Sequence, residues 1–484
     1  MYLPAARPIL TTSIGSRQVL FSLPRFRHLA TPSPLCHHPP MRFAFALFLL
    51  TLPLTADVTL PAIFGNGMVV QRDAPLRVWG TADANEAITV SFNGKKATAK
   101  ASPDGTWLAE LPAPKLDNKS HKLSVKGNNE ITLTDVLIGD VWIGSGQSNM
   151  EWNLTQSEQK EEFIKKAKHP KVRLFHIPKV QQNTPQTNIK AAWKNCTPEN
   201  IPRFSAVLYH FGKDIHKTTK IPMGLINSSW GGSPIEPWIV SGKGSGKMYN
   251  GMIAPITNFS VKGTIWYQGE TNVIQKNGLA YTGKMKDLIE GWRKVFRNPT
   301  MPFYYVQIAP WGNKRYADGQ LPALWEAQVA TLKLPHTGMA VTTDIVHNIG
   351  DIHPRNKHDV GDRLARWALV KNYDVKDLLY SGPLYKSMKI EGSKIRLTFA
   401  HAKGLKSRDD KDLNEFKIAG ADGNFVDAQA KVSGTNILVS AKEVSSPKHV
   451  QFGWHRSANP NLINKAGLPA SPFQTNNWTG GTGE

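Results

Sequence analysis

The sequence predicts an α/β fold: a parallel sheet with helices on both faces, flanked by N- and C-terminal β-sandwich-type units. Three observations lead there. Between about residues 135 and 380, apolar runs alternate with amphipathic helical stretches, a pattern that calls for a parallel sheet covered on both faces. Short β-type runs broken by Gly, Asn and Asp turns precede this region and return after it. The chain of 484 residues, 40% hydrophobic with 14 Trp, is long and apolar enough for two or three domains with real cores.

The elements follow in chain order. Met41-Arg42, the apolar run Phe43 to Leu50 and the small pair Thr55-Ala56 form the charged, apolar and cleavage regions of a signal peptide. Residues 1–40, rich in Pro and Arg and without an acidic residue, are expected to be an upstream extension outside the fold, and 41–56 the signal peptide. A first β unit is expected over 57–134, from runs such as Leu76-Arg77-Val78-Trp79 and Ile88 to Phe92, with Asn93-Gly94 and Asp104-Gly105 as hairpin turns. The α/β region over 135–380 has strands expected at Val136–Ile143, Ile221–Ile226, Thr264–Tyr267, Phe303–Ile308 and Met339–Thr342. Helices are expected near Phe204–Ile215, Tyr281–Phe296, Ala323–Leu332 and Lys357–Leu369. A second β unit is expected over 381–484, with strands around Ile395, Phe416, Ile437 and Val450.

The formal net charge is +22, and removal of residues 1–56 would lower it to about +17. Lys and Arg are spread over the whole chain and form no phosphate-tracking stripe, so no nucleic-acid partner is expected. Cleavage would also remove Cys36 and leave Cys196 alone, so no disulfide framework is expected.

The chemistry concentrates at strand ends. The run from Val136 ends in Gly144-Ser145-Gly146-Gln147-Ser148-Asn149-Met150, a glycine-flexed turn that presents Ser148 as a nucleophile. A serine hydroxyl needs a base held by a third group and donors for the developing oxyanion. Gly350-Asp351-Ile352-His353-Pro354 supplies His353 as the base. Asp351 falls on the same side of an extended segment and is expected to orient the ring. Gly231 and Gly232 admit a substrate carbonyl close to a backbone N–H, and the Gln268 amide sits at another strand end. All four segments lie beyond carboxyl ends of strands, where open α/β sheets bind ligands. Other readings stay open: Ser148 as a helix N-cap, Ser145 as the nucleophile, a metal site from His347, Asp351, His353, His358 and Asp359, or a glycosidase pair of Glu236 and Glu270. Trp142, Trp152, Trp230, Trp238 and Trp266 are candidates for a sugar-stacking wall, with at least three of the five expected in the core.

Three segments, Val141 to Glu151, Trp266 to Asn272 and Ile352 to Lys357, resemble the signatures of the sialate O-acetylesterases, a branch of the SGNH/GDSL-type serine esterases. Leu60-Pro61, Val78-Trp79-Gly80, Gly453-Trp454 and Gly467 to Phe473 extend the likeness over nearly all of the chain after residue 56. The resemblance implies an SGNH-hydrolase-like sheet, Ser148 as nucleophile, and His353 as base. It implies an oxyanion hole from Ser148 N–H, a glycine of the Gly231-Gly232 pair and Gln268. Many relatives place the acid three residues before the histidine, where this chain has Gly350, so either Asp351 or a backbone carbonyl is expected to orient the ring. Glu270, Asn272, Trp230 and Arg355 are the expected substrate contacts, Arg355 by pairing with a sugar carboxylate. The expected activity is hydrolysis of O-acetylated sialic acid through an acetyl-serine, without metal or other cofactor, in a secreted or periplasmic enzyme with no transmembrane anchor. The alternatives are an acetylxylan or other polysaccharide deacetylase on the same scaffold, and a catalytically inactive carbohydrate-binding protein.

Overall fold

The computed structural model describes residues 57–240 and 246–480. The expected upstream extension and signal peptide lie outside the described residues. At the centre is a sheet in the order Thr337–Val341, Phe303–Gln307, Gly263–Tyr267, Glu130–Gly146, Met223–Ser229, His169–His176, Trp193–Cys196. All neighbours are parallel except the last pair. The four middle and edge strands expected after Val136 are present within a few residues. The strands at His169 and Trp193 carry no clean apolar run and were not anticipated: His169–His176 opens on His169, Pro170 and Lys171, and Trp193–Cys196 is a four-residue edge strand buried only at its two ends.

Helices Ala206–Thr219, Tyr281–Val295, Gln320–Ala330 and His358–Asn372 pack on the sheet. Ser205 caps the first of them by accepting the Leu208 N–H at 3.2 Å, satisfying one of the donors that a helix start leaves open. The same hydroxyl donates to Met150 O at 2.7 Å, which ties this helix to the turn after Ser148.

Glu130–Gly146 is one unbroken strand of 17 residues that serves two layers. Its first half pairs antiparallel with Ser120–Lys126, while Val69–Gln71 lies parallel to Leu137–Gly139. The burial along it changes from alternating to continuous at Val136, as a strand must when it passes from a sheet wet on one face to one covered on both. The predicted turn at Asn93-Gly94 joins Ala87–Phe92 to Lys95–Lys100, with positive φ at both residues as a two-residue hairpin of this kind requires.

The apolar core of the N-terminal strands is continuous with that of the central sheet, one cluster holding Val69, Val78, Val90 and Val141. The C-terminal strands enclose a separate core around Ile395, Leu397, Phe416, Ile437 and Phe452. Among the described residues no helix is long and apolar enough to cross a membrane.

Candidate active site

Register brings the site together. Gly146 lies opposite Ser229 on one side and Tyr267 on the other, so the chain segments leading to Ser148, Gly231 and Gln268 leave the sheet side by side. Gly146 has φ +133°, and a Cβ there would fall 2.1 Å from the Tyr267 carbonyl oxygen. Only glycine permits that turn beneath the nucleophile. Gln147 follows in an extended conformation, and Ser148 opens the short helix Ser148–Glu151.

His353 comes from the segment between Val341 and the helix His358–Asn372. Its Nε2 stands 2.9 Å from Ser148 Oγ, the distance a general base needs to take the hydroxyl proton. The imidazole stacks on Trp152, centroids 4.8 Å apart and planes at 19°, which fixes the ring without using either nitrogen. Burial holds the His353 pKa below its ordinary value, the Lys357 charge adds to this, and Asp351 opposes it.

Asp351 lies on the Nδ1 side of the ring, with Oδ1 at 3.7 Å, beyond hydrogen-bond reach. The same oxygen accepts the His353 backbone N–H at 2.8 Å. Asp351 therefore clamps the loop and acts on the ring through space.

Two expected oxyanion donors are otherwise engaged. The Gln268 side chain is fully buried, and its Nε2 faces Gln147 Oε1, Ser233 O and Asn272 Oδ1 at 3.1, 3.2 and 2.6 Å. Its Oε1 accepts from Tyr281 OH at 2.7 Å. The amide is thus tied internally at both ends, as a buried amide must be. Gly231 is in place, since a Cβ on it would sit 3.4 Å from Ser148 Cβ, but its N–H is donated to the Glu151 carboxylate. Gly232 is exposed, with φ +74°.

Two expected substrate contacts are likewise engaged within the protein. Glu270 is buried and accepts from Asn149 Nδ2 at 2.6 Å. Asn272 is fully buried and holds Ile235 N, Gln268, Glu236 and Asn277 together. Both side chains brace loops and reach no solvent. Trp230 is partly exposed and Arg355 exposed, so these two remain open to a ligand.

Ser145 is buried within the strand and drops out as nucleophile. The histidines and acids of the alternative metal reading disperse: His347 faces Glu158 at 3.4 Å, and His358 pairs with Asp359 at 3.2 Å. Among the described residues no three His, Cys, Asp or Glu side chains converge as metal ligands would. Glu236 is paired with Lys284 and Glu270 is sealed, which removes the glycosidase pair. Trp142, Trp238 and Trp266 are core residues, while Trp152 and Trp230 border the site.

Sequence reasoning missed the residues that organise these loops. Gln147 Oε1 accepts from Gly269 N and Thr271 N at 3.3 Å each, besides Gln268. Asn149 and Lys357 form a buried polar link below the nucleophile. All three lie inside the motif strings, whose letters do not mark which polar side chains turn inward.

Residues 138–370 match the family model of the carbohydrate esterases described as sialic acid-specific acetylesterases. Human sialate O-acetylesterase is 30% identical over 405 residues, spanning 72% of this chain and 77% of that protein. The chain belongs to the sialate O-acetylesterase family. The mouse sialate O-acetylesterase is 28% identical over 431 residues, with 72% and 80% covered. The crystal structure of a carbohydrate acetylesterase from Xanthomonas citri superimposes with a TM-score of 0.82 at 40% identity, covering 87% of this chain and 100% of that one. The fold is therefore that of the SGNH-like carbohydrate esterases, and membership of this family makes the chain a carboxylic ester hydrolase.

Proposed function

We propose that the protein hydrolyses O-acetyl esters of sugars, O-acetylated sialic acid first among them, through an acetyl-Ser148 intermediate. The observation that carries the reading is the 2.9 Å approach of His353 Nε2 to Ser148 Oγ at the end of the central strand. His353 takes the hydroxyl proton as Ser148 attacks the acetyl carbonyl, then returns it to the departing sugar hydroxyl. The second half repeats the cycle with water as nucleophile. The Ser148 and Gly231 backbone N–H groups serve the oxyanion, Gly231 exchanging its bond from Glu151 to the substrate. The exposed Arg355 and partly exposed Trp230 offer a cation and a ring face to the sugar. The signal-like segment at 41–56 supports an exported, secreted or periplasmic enzyme.

A second substrate reading, deacetylation of another carbohydrate such as acetylated xylan, keeps its place because the relatives' names do not agree on one sugar. The Xanthomonas citri carbohydrate acetylesterase is more similar in sequence, at 40%, than the human sialate enzyme, at 30%. Acetate release from O-acetylated sialic acid and from acetylated xylan, measured side by side, decides between them. Ser148→Ala should lower turnover on either by roughly 10⁶-fold, by analogy with other serine hydrolases. Substantial activity in that variant would overturn the serine mechanism, and no activity of the parent on any acetyl ester would leave a carbohydrate-binding protein.

A further inference from the structure

The active-site loops are joined below Ser148 by a buried cation that the acyl-transfer chemistry itself does not use. Lys357 has no exposed surface. Its Nζ donates to Asn149 Oδ1 at 2.5 Å and lies 5.2 Å from the Trp152 ring centroid and 5.6 Å from that of Tyr267. The other end of the Asn149 amide donates to Glu270 Oε1 at 2.6 Å and to Ile352 O at 3.1 Å. One amide thus separates a buried ammonium from a buried carboxylate, oriented so that each end meets the charge it stabilises. The three loops it ties are those that carry Ser148, Glu270 and His353, the last through the peptide just before the base.

Trp152 is shared: it stacks on the His353 ring and also faces the Lys357 ammonium. We propose that Lys357 is a positioning residue for the esterase reaction, locking the His353 loop to the Ser148 turn through Asn149 and backing the Trp152 ring on which the His353 imidazole stacks. The proposal rests on the reading of Ser148 and His353 as nucleophile and base.

The charged and titratable groups around this pair are few. Asp351 and Lys357 act on His353 with opposite sign. Glu270 and Asp351 act on Lys357, and around Glu270 stand the buried phenols Tyr267, Tyr281 and Tyr316. Burial pulls the Lys357 pKa down to about 7, against the pull of Glu270. Below that pH the ammonium is charged, and this is the range in which a histidine of lowered pKa titrates. Glu270 is itself raised by burial, and its Oε2 has no hydrogen-bond partner; the backbone N–H groups of Glu270 and Gly269, the Asn149 amide and the Lys357 charge together compensate the carboxylate.

The test is kcat/KM against pH for p-nitrophenyl acetate, in the parent, Lys357→Met and Lys357→Met/Glu270→Gln, with Ser148→Ala as control. Loss of the ammonium should move the acidic limb to higher pH by about one unit, the size of a unit-charge effect over several ångströms at an effective dielectric near 20. kcat should fall about tenfold or more with KM little changed, as a misplaced base affects turnover and not binding. The double variant should show the same shifted limb but a higher Tm than Lys357→Met, because it leaves no unpaired charge buried. An acidic limb in its parental place in both variants overturns the proposal, as does unchanged kcat. Failure of both variants to fold also counts against it, since it would make Lys357 a folding residue. An active Ser148→Ala would instead sink the serine mechanism, whereas an inactive one with unmoved limbs sinks the role of Lys357 alone.

Discussion

At the scale of single residues, His353 decides the pH dependence. The base must be neutral to accept the serine proton, so activity rises as pH passes upward through its pKa. Burial and the Lys357 charge set that value below the ordinary histidine range, and the acidic midpoint of kcat/KM should therefore lie below about 6.5. A midpoint at or above 7 would assign the limb to another group. Asp351 pulls in the opposite direction. Asp351→Asn removes a negative charge 3.7 Å from Nδ1 and should keep the fold and move the limb still lower. The imidazolium formed in the transition state loses its nearest counter-charge, so kcat should fall by about 10² to 10⁴. Stopped assays of purified variants would read both, and activity within a few-fold of the parent would mean that the carboxylate only clamps the loop.

At the scale of elements, strands aim the site and buried amides tie the loops that follow them. Gln268 bonds to Gln147, Ser233, Asn272 and Tyr281, and its truncation would strand several of these partners without water. Gln268→Ala should destabilise the protein by about 3 kcal/mol or more, since each buried partner left unmet costs on the order of 1–3 kcal/mol. The expected result is a clear drop in Tm, with kcat reduced far less than 10²-fold at temperatures where the variant is folded. A loss of 10² to 10³ in kcat with unchanged Tm would restore Gln268 as an oxyanion donor. The role of this amide was not legible in the sequence. A glutamine at a strand end reads the same whether its side chain turns outward to substrate or inward to three acceptors. Ser148 and His353 were legible because their loops carry glycine and proline signals that mark sharp exposed turns. Asn149, Lys357 and Gln147 were not, because a polar residue in a motif carries no mark of its own burial.

At the scale of the whole molecule, the strand Glu130–Gly146 makes the N-terminal β unit and the catalytic sheet interdependent. The two share one apolar core, whereas the C-terminal strands have their own. A chain beginning at Val136 would lose the partners of that strand, Val69–Gln71 and Ser120–Lys126, and expose Val69, Val78 and Val90 contacts in the core. It should not reach a folded state, while a chain beginning at Asp57 should. Limited proteolysis and circular dichroism of the two would check this, and a protease-resistant, active product from the shorter chain would count against a shared core.

The sequence by itself determined the alternation that makes a parallel sheet, the glycine turn that exposes Ser148, and the placement of His353 after the last strand of that sheet. These are local properties: periodicity, turn chemistry and order along the chain carry them. Only the tertiary structure decided which polar side chains face the substrate and which are consumed within. Gln268, Glu270 and Asn272 turned out to be consumed, and Asp351 to stand just beyond hydrogen-bond reach of the ring. The reason is that a hydrogen bond's direction depends on neighbours more than 100 residues away, as with Asn149 and Lys357, and side-chain burial is set by that packing and not by the residue's own neighbours in sequence.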